Sequence, residues 1–208
     1  DQPVVWGRSR AAGLKVLNVG SQDQRPLNRS GDDLRIDWGY FHLAVPEKEE
    51  ATLVAAPRAL QVFAKSGTLP DADDMEMPRS AHGGAAHLAV LVPGNVAAGQ
   101  TVSRHVLLSY TEGYAIEYLN RKLKPYWQRD GQSTEDMLAV AEQQYESLKQ
   151  RGSQYDQELQ SDLERAGGKG YAQLAVLAYR QTLAAHKLVA DVDGTPLRFS
   201  QETFSNGC

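Results

Sequence analysis

A chain of 208 residues can form one large domain or two small ones, and either can bury a sizeable core. With 41% hydrophobic and 23% charged residues it reads as globular, and a net charge of −4 leaves no excess of cation for a polyanion, so nucleic acid is not an expected partner. The longest apolar run, Ala85 to Val92, contains His87 and is too short to cross a bilayer, and the single cysteine, Cys208, excludes an internal disulfide or a cysteine-based zinc site.

Residues 1 to about 110 read as short β segments punctuated by Gly and Pro. The expected strands are Val4–Trp6, Leu14–Leu17, Ile36–Val45 and Ala86–Val92, with Val102–Ser109 as a further strand. Short strands with frequent turns suggest a sandwich. Between them, Ala64–Gly84 carries Asp71, Asp73, Asp74 and Glu76 among Gly and Pro, the composition of a long surface loop or hairpin tip.

From Tyr114 the pattern turns helical. Ile116, Leu119 and Leu123 share a helical face, and Pro125 ends that helix. After the Asp130-Gly131 turn, Ser133 with Asp136 three residues on is a capping pair for a second helix that runs to Gly152. Ser153 and Asp156 repeat the signal for a third helix, stopped by Gly167-Gly168. A fourth spans about Tyr171 to Ala190, so apolar in its first turns that cover on several sides is expected, and Asp193-Gly194 turns the chain out. The chain thus divides into a β part, 1–110, and an α part, 111–208, without an internal repeat.

Several clusters could carry chemistry. Asp32, Asp33, Arg35, Asp37, Trp38 and Tyr40 form the densest polar and aromatic group of the β part, able to hold a proton or an ammonium group, or else a turn followed by the solvent face of a strand. Tyr126-Trp127-Gln128-Arg129-Asp130 suits a pocket rim or an aromatic plug at a helix end. On the fourth helix Tyr179, Arg180 and Gln181 interrupt an apolar surface. Arg180 can grip a carboxylate and Gln181 an amide, or the three can join helix to helix. Glu202 is the best acid or base candidate, in a loop with Ser205, Asn206 and Gly207. His42, His82, His87, His105 and His186 lack metal-ligand spacing, so neither a metal nor another cofactor is expected.

Long ordered strings carry a resemblance. Ser30-Gly-Asp-Asp-Leu-Arg-Ile-Asp-Trp-Gly-Tyr40, Ser103-Arg-His-Val-Leu-Leu-Ser-Tyr110, Tyr114-Ala-Ile-Glu-Tyr-Leu-Asn120, Leu123-Lys-Pro-Tyr-Trp127, Ala178-Tyr-Arg-Gln-Thr-Leu-Ala-Ala-His-Lys187 and Phe199–Gly207 together resemble the fungal and bacterial glutaminase A family. The resemblance implies an α+β, multidomain fragment: the C-terminal part of a β-sandwich domain, then the first helical hairpins of an (α/α)6 toroid. It implies hydrolysis of L-glutamine to L-glutamate and ammonia by a secreted or periplasmic enzyme, with glutamine and the remainder of a parent chain as partners and no membrane. Glu202 and Asn206 are then the catalytic candidates, for the water or ammonium and for the oxyanion. Tyr179, Arg180, Gln181, Trp127 and Asp37 are the substrate-binding ones. The same toroid also hosts glycosidases, and a non-catalytic helical module is the third possibility. The opening at Asp1 shows no leader-like segment, although a leader can have been removed, and the stop at Cys208 implies that helices of the family pattern lie beyond it.

Overall fold

A computed structural model describes residues 2–28 and 37–200. The fold is α+β, with antiparallel sheets and α-helices. The expected Asp32-Asp33-Arg35 cluster and the Glu202–Asn206 loop lie outside the described residues.

The chain forms two compact units, the first holding, among the described residues, 2–28, 37–113 and 132–142. Its elements are β1 (Pro3–Ala11), β2 (Leu14–Ser21), β3 (Tyr40–Pro46), β4 (Thr52–Ala56), α1 (Ala59–Ser66), β5 (Arg79–Ser80), β6 (His87–Leu91), β7 (Leu107–Thr111) and α2 (Thr134–Gln143, up to residue 142). Five strands make one antiparallel sheet in the order β5-β1-β2-β3-β7, while β4 and β6 make a separate two-stranded sheet. The β1–β2 hairpin turns at Gly13, whose φ of 77° suits a residue without Cβ.

Alternation along the strands sends the two faces of the larger sheet to different partners. Trp6, Leu17 and Val45 pack on Leu53 and Ala55 of the smaller sheet, which makes the expected sandwich core. Ala11, Leu14, Val16 and Ala44 on the other face receive Leu138 of α2. That helix begins as expected: the Ser133 hydroxyl accepts from the Asp136 N–H at 3.1 Å, and the Asp136 carboxylate accepts from the Ser133 N–H at 3.2 Å.

The acidic stretch after α1 is tied down rather than free on the surface. The Trp6 indole N–H donates to the Asp74 carbonyl at 2.7 Å. Asp73 accepts Nε and Nη2 of Arg8 at 2.5 and 2.8 Å and the Ala55 N–H at 2.8 Å, while Arg8 also donates to the Leu53 carbonyl at 2.6 Å. One ion pair therefore links β1 of the larger sheet to β4 of the smaller. The α1 helix and β4 were not expected from the sequence; β4 is Thr52 followed by an apolar run of four residues, too short for periodicity to show.

The second unit, among the described residues, holds 114–131 and 143–200. Here the first expected helix is corrected. Tyr114–Leu123 contributes a β-hairpin, β8 (Ile116–Tyr118) and β9 (Arg121–Pro125), followed by a 3₁₀ turn η1 (Tyr126–Gln128). Leu119 and Asn120 at its tip have φ of 49° and 62°, the two positive values that a two-residue primed turn demands and a helix forbids. The apolar spacing of Ile116 and Leu123 is that of a cross-strand pair instead of a helical face.

The helical run α3 spans Tyr145–Ala184 and is broken only at Gly168, with φ 80° and ψ 175°. It passes through Gly152 and Ser153, where a stop and a restart were expected; Gly costs a helix about 1 kcal/mol and does not by itself end one. At Gly168 the chain folds back: the Tyr155 and Tyr179 hydroxyls, 24 positions apart in sequence, meet at 2.7 Å, and Asp156 lies 3.6 Å from Arg180. A straight helix would hold them roughly 36 Å apart. The expected break at Gly167-Gly168 therefore creates one helical hairpin.

Two further expectations change. The second arm ends at Ala184, and His186–Ala190 is strand β10, paired with β11 (Pro196–Ser200) and with β9 in a sheet ordered β11-β10-β9-β8. The arm is also not covered: Ala172 is its buried residue, whereas Leu174 and Leu177 are 68% and 54% exposed. The unit's core is instead in the sheet, where Ala115, Leu123 and Val189 pack with Ile116, Leu197 and Phe199.

Replacing Asp73 by Ala should lower the urea unfolding midpoint by the equivalent of about 1–2 kcal/mol, since a charge-assisted bond and the Ala55 N–H lose their acceptor. The Arg8 hydrogen bond holds the Asp73 carboxyl below its usual range, so its contribution is present above the unfolded carboxyl pKa and lost as pH falls through the folded value. The wild-type midpoint should thus fall more steeply than that of Asp73→Asn below about pH 4. At the hairpin, Gly168→Ala places a Cβ in a region open essentially only to Gly, at a cost of about 1–3 kcal/mol. Spin labels at positions 155 and 179 should report a broadened or lengthened distance in that variant, and an unchanged distance would refute the glycine's role.

Candidate functional site

The sequence-predicted site residues fall in three places. Tyr179, Arg180 and Gln181 are consecutive on the second arm of α3. The first two form the clasp to Tyr155 and Asp156, which is the helix-joining alternative for these residues. Both members of the Asp156–Arg180 pair are largely exposed, and exposed pairs of this length are weak, so the guanidinium remains available to a stronger anionic partner. Gln181 is exposed, and its carbonyl accepts the Ala185 N–H at 2.9 Å at the end of the arm.

Trp127 sits half-buried in η1, after β9. Its neighbour Arg129 lies over the Tyr126 ring at 4.2 Å and donates to the Tyr126 carbonyl at 2.9 Å, so the aromatic cluster closes the end of a strand rather than of a helix.

Asp37 belongs to the first unit, where its carbonyl accepts the Ser21 hydroxyl at 2.7 Å and its carboxylate accepts the Gln2 amide at 3.5 Å. Beside it, Trp38 is buried and donates its indole N–H to the Glu112 carbonyl at 3.0 Å, and the Tyr110 hydroxyl donates to the Trp38 carbonyl. Burial first, then the nearby Glu112 and Asp37, pushes the Tyr110 phenol up to about 12. Tyr110 therefore stays a neutral donor across the physiological range. This arrangement anchors the entry to β3 against the end of β7.

A group that the sequence reading left isolated has neighbours in the fold. His42 is 7% exposed, and its Nε2 lies 3.0 Å from the Thr111 hydroxyl. Directly across the β3–β7 ladder is Ser109. The His42 Nδ1 and the Ser109 Oγ are both buried without a hydrogen-bond partner among the described residues. Burial lowers the His42 pKa, opposed by the charge of Glu135 on α2, so the imidazole is neutral and can accept a proton. The signal was absent from the sequence because positions 42 and 109 meet only through strand pairing. His105 is likewise not isolated: its Nε2 is 2.7 Å from Glu142, which also faces Lys48 at 3.7 Å.

No group of three or more potential metal-ligating side chains occurs among the described residues. Nor, among them, is any helix long and apolar enough to cross a membrane.

A family model described as a domain of unknown function, DUF5127, matches residues 1–162. The chain belongs to the DUF5127 family. The DUF5127 match takes in both sheets of the first unit, the β8–β9 hairpin and the first arm of α3 up to residue 162; Gly168 and the second arm, with Tyr179–Gln181, follow it. No curated protein and no solved structure matches the chain.

The neutral, buried state of His42 has a pH signature. Because its folded pKa lies below the unfolded value near 6.5, the unfolded chain takes up a proton first, and this histidine withdraws stability as pH falls below about 6.5. His42→Gln should flatten the decline of the urea midpoint between about pH 7 and 5. An unchanged slope would show that His42 does not set it.

Proposed function

We propose that this chain is a segment of a glutaminase A-like amidohydrolase, hydrolysing L-glutamine to L-glutamate and ammonia in a secreted or periplasmic setting. One observation supports the reading: along the chain a two-sheet β unit precedes a helical hairpin, as the family resemblance implies, although a four-stranded sheet flanks that hairpin in sequence. Amide hydrolysis needs an activated water or nucleophile, donors for the oxyanion, and charged grips for the two ends of the amino acid. Glu202 is the proposed acid or base and Asn206 the proposed oxyanion donor. Arg180, released from its weak surface pair, supplies a fork for the substrate carboxylate, with Tyr179, Gln181 and Trp127 of the same unit as the other proposed contacts. No cofactor enters this scheme.

A second reading, a non-catalytic helical module, draws support from the clasp itself, because Tyr179 and Arg180 already have partners on the other arm. Activity of the protein at its natural length separates the two. Ammonia release from L-glutamine, followed by a coupled dehydrogenase assay, should exceed that of heat-inactivated protein, and Glu202→Ala should lower it at least about 100-fold. Full activity in that variant removes Glu202 from the mechanism. Release of reducing sugar from glycans in place of ammonia would transfer the protein to the glycosidases, and absence of both favours the module.

A further inference from the structure

The second unit contains a cleft at the junction of β9, η1 and the turn between β10 and β11, and we propose that it binds the carboxylate of a small organic acid. Its volume is about 300 Å³, at the lower end of the range for small-molecule sites. Leu123 and Ala190, both buried, form apolar parts of the lining. Lys122, Lys124 and Arg129 supply three cations, and Tyr114 a phenol.

The charge balance of this lining runs against that of the molecule. The chain as a whole carries −4, yet the cleft lining sets three cations against one carboxylate, Asp191; Asp130, outside the lining and largely exposed, lies 3.4 Å from Arg129. That carboxylate is already engaged: its Oδ1 accepts Nη1 of Arg121 and the Val192 N–H, each at 2.7 Å. Lys122 and Lys124, at alternate positions of β9, point to the same side of the strand; Glu117 of β8 stands directly opposite Lys122 in the ladder, while Lys124 has no ion pair among the described residues. Lys124 is thus the lysine of the cleft left without an adjacent counter-charge, and an anion bound there would relieve it.

Arg129 adds direction to this charge. Stacked on Tyr126 and fixed by its carbonyl, the guanidinium has lost much of its rotamer freedom before any ligand arrives. The opposite wall is equally set. The turn is closed by Asp191 N–H to Thr195 carbonyl at 2.8 Å and Gly194 N–H to Asp191 carbonyl at 2.9 Å, with Gly194 at φ 85°. A cleft whose lining combines apolar and cationic residues fits a short carbon skeleton ending in a carboxylate better than a bare inorganic anion. The proposal stands apart from the amidohydrolase reading, because binding here is measured on this chain without any turnover.

The test is titration of the isotope-labelled chain with sodium succinate, sodium glutamate and inorganic phosphate, followed by amide chemical shifts. Saturable shifts centred on Lys122, Lys124, Val192 and Gly194 are expected with the two organic acids, weakened by about 0.5 M sodium chloride. The double variant Lys122→Gln/Lys124→Gln should raise Kd about tenfold or more. Arg129→Lys, which keeps the charge but loses the fork, should also weaken binding, and it serves as the test if the double variant is unfolded. Shifts that never saturate, an affinity unchanged in the folded variants, or phosphate bound as tightly as succinate would each overturn the proposal.

Discussion

The first unit depends on the seating of one large side chain between two unequal sheets. Trp6 sits midway along β1, buried against Leu17 and Val45 of its own sheet and Leu53 and Ala55 of the other, and burying such a ring is the largest single apolar contribution available to so small an interface. Its indole N–H needs an acceptor once inside, and the Asp74 carbonyl supplies it. That bond brings the acidic stretch beneath β1, which in turn places Asp73 within reach of Arg8. Packing, polar satisfaction and charge pairing thus follow from a single position. A sheet whose other face is covered by α2 then becomes the platform on which His42, Ser109 and Thr111 are set side by side.

In the second unit, backbone conformation plays the organising part. Leu119 and Asn120 turn β8 into β9, Gly168 folds α3 on itself, and Gly194 joins β10 to β11. Each reversal brings together groups distant in sequence: Tyr155 with Tyr179 across the hairpin, and the β9 lysines with the Asp191 turn across the sheet. The helical arms contribute little core of their own, and the apolar residues Leu174 and Leu177 remain largely in solvent. The stability of this unit therefore resides in its four-stranded sheet, around Leu123 and Val189.

Legibility in the sequence followed the range of the interaction concerned. The early strands, the Ser133–Asp136 cap and the glycine break at 167–168 were readable because each is decided within four or five residues. The Tyr114–Leu123 segment was misread because its apolar spacing fits a helical face and a cross-strand pair alike, and the deciding feature, positive φ at Leu119, is unusual for that residue type. His186–Ala190 reads as helix in sequence because it continues an apolar pattern, yet pairing with β11 and β9 gives its backbone groups other partners. Of the candidate site, Tyr179 and Arg180 were legible as polar residues that needed partners. Which partners they have depends on the fold-back at Gly168.

Sequence alone determined the early strands, the capped start of α2 and the break that folds the helical run at Gly168. Local propensity, capping and composition act over a few residues and survive without the fold. Tertiary structure decided which side chains meet: His42 with Ser109, Arg8 with Asp73, and Lys122 and Lys124 with the turn at Asp191. Those meetings arise from strand register and chain reversal, and burial and electrostatic fields exist only once distant segments have displaced water from between them.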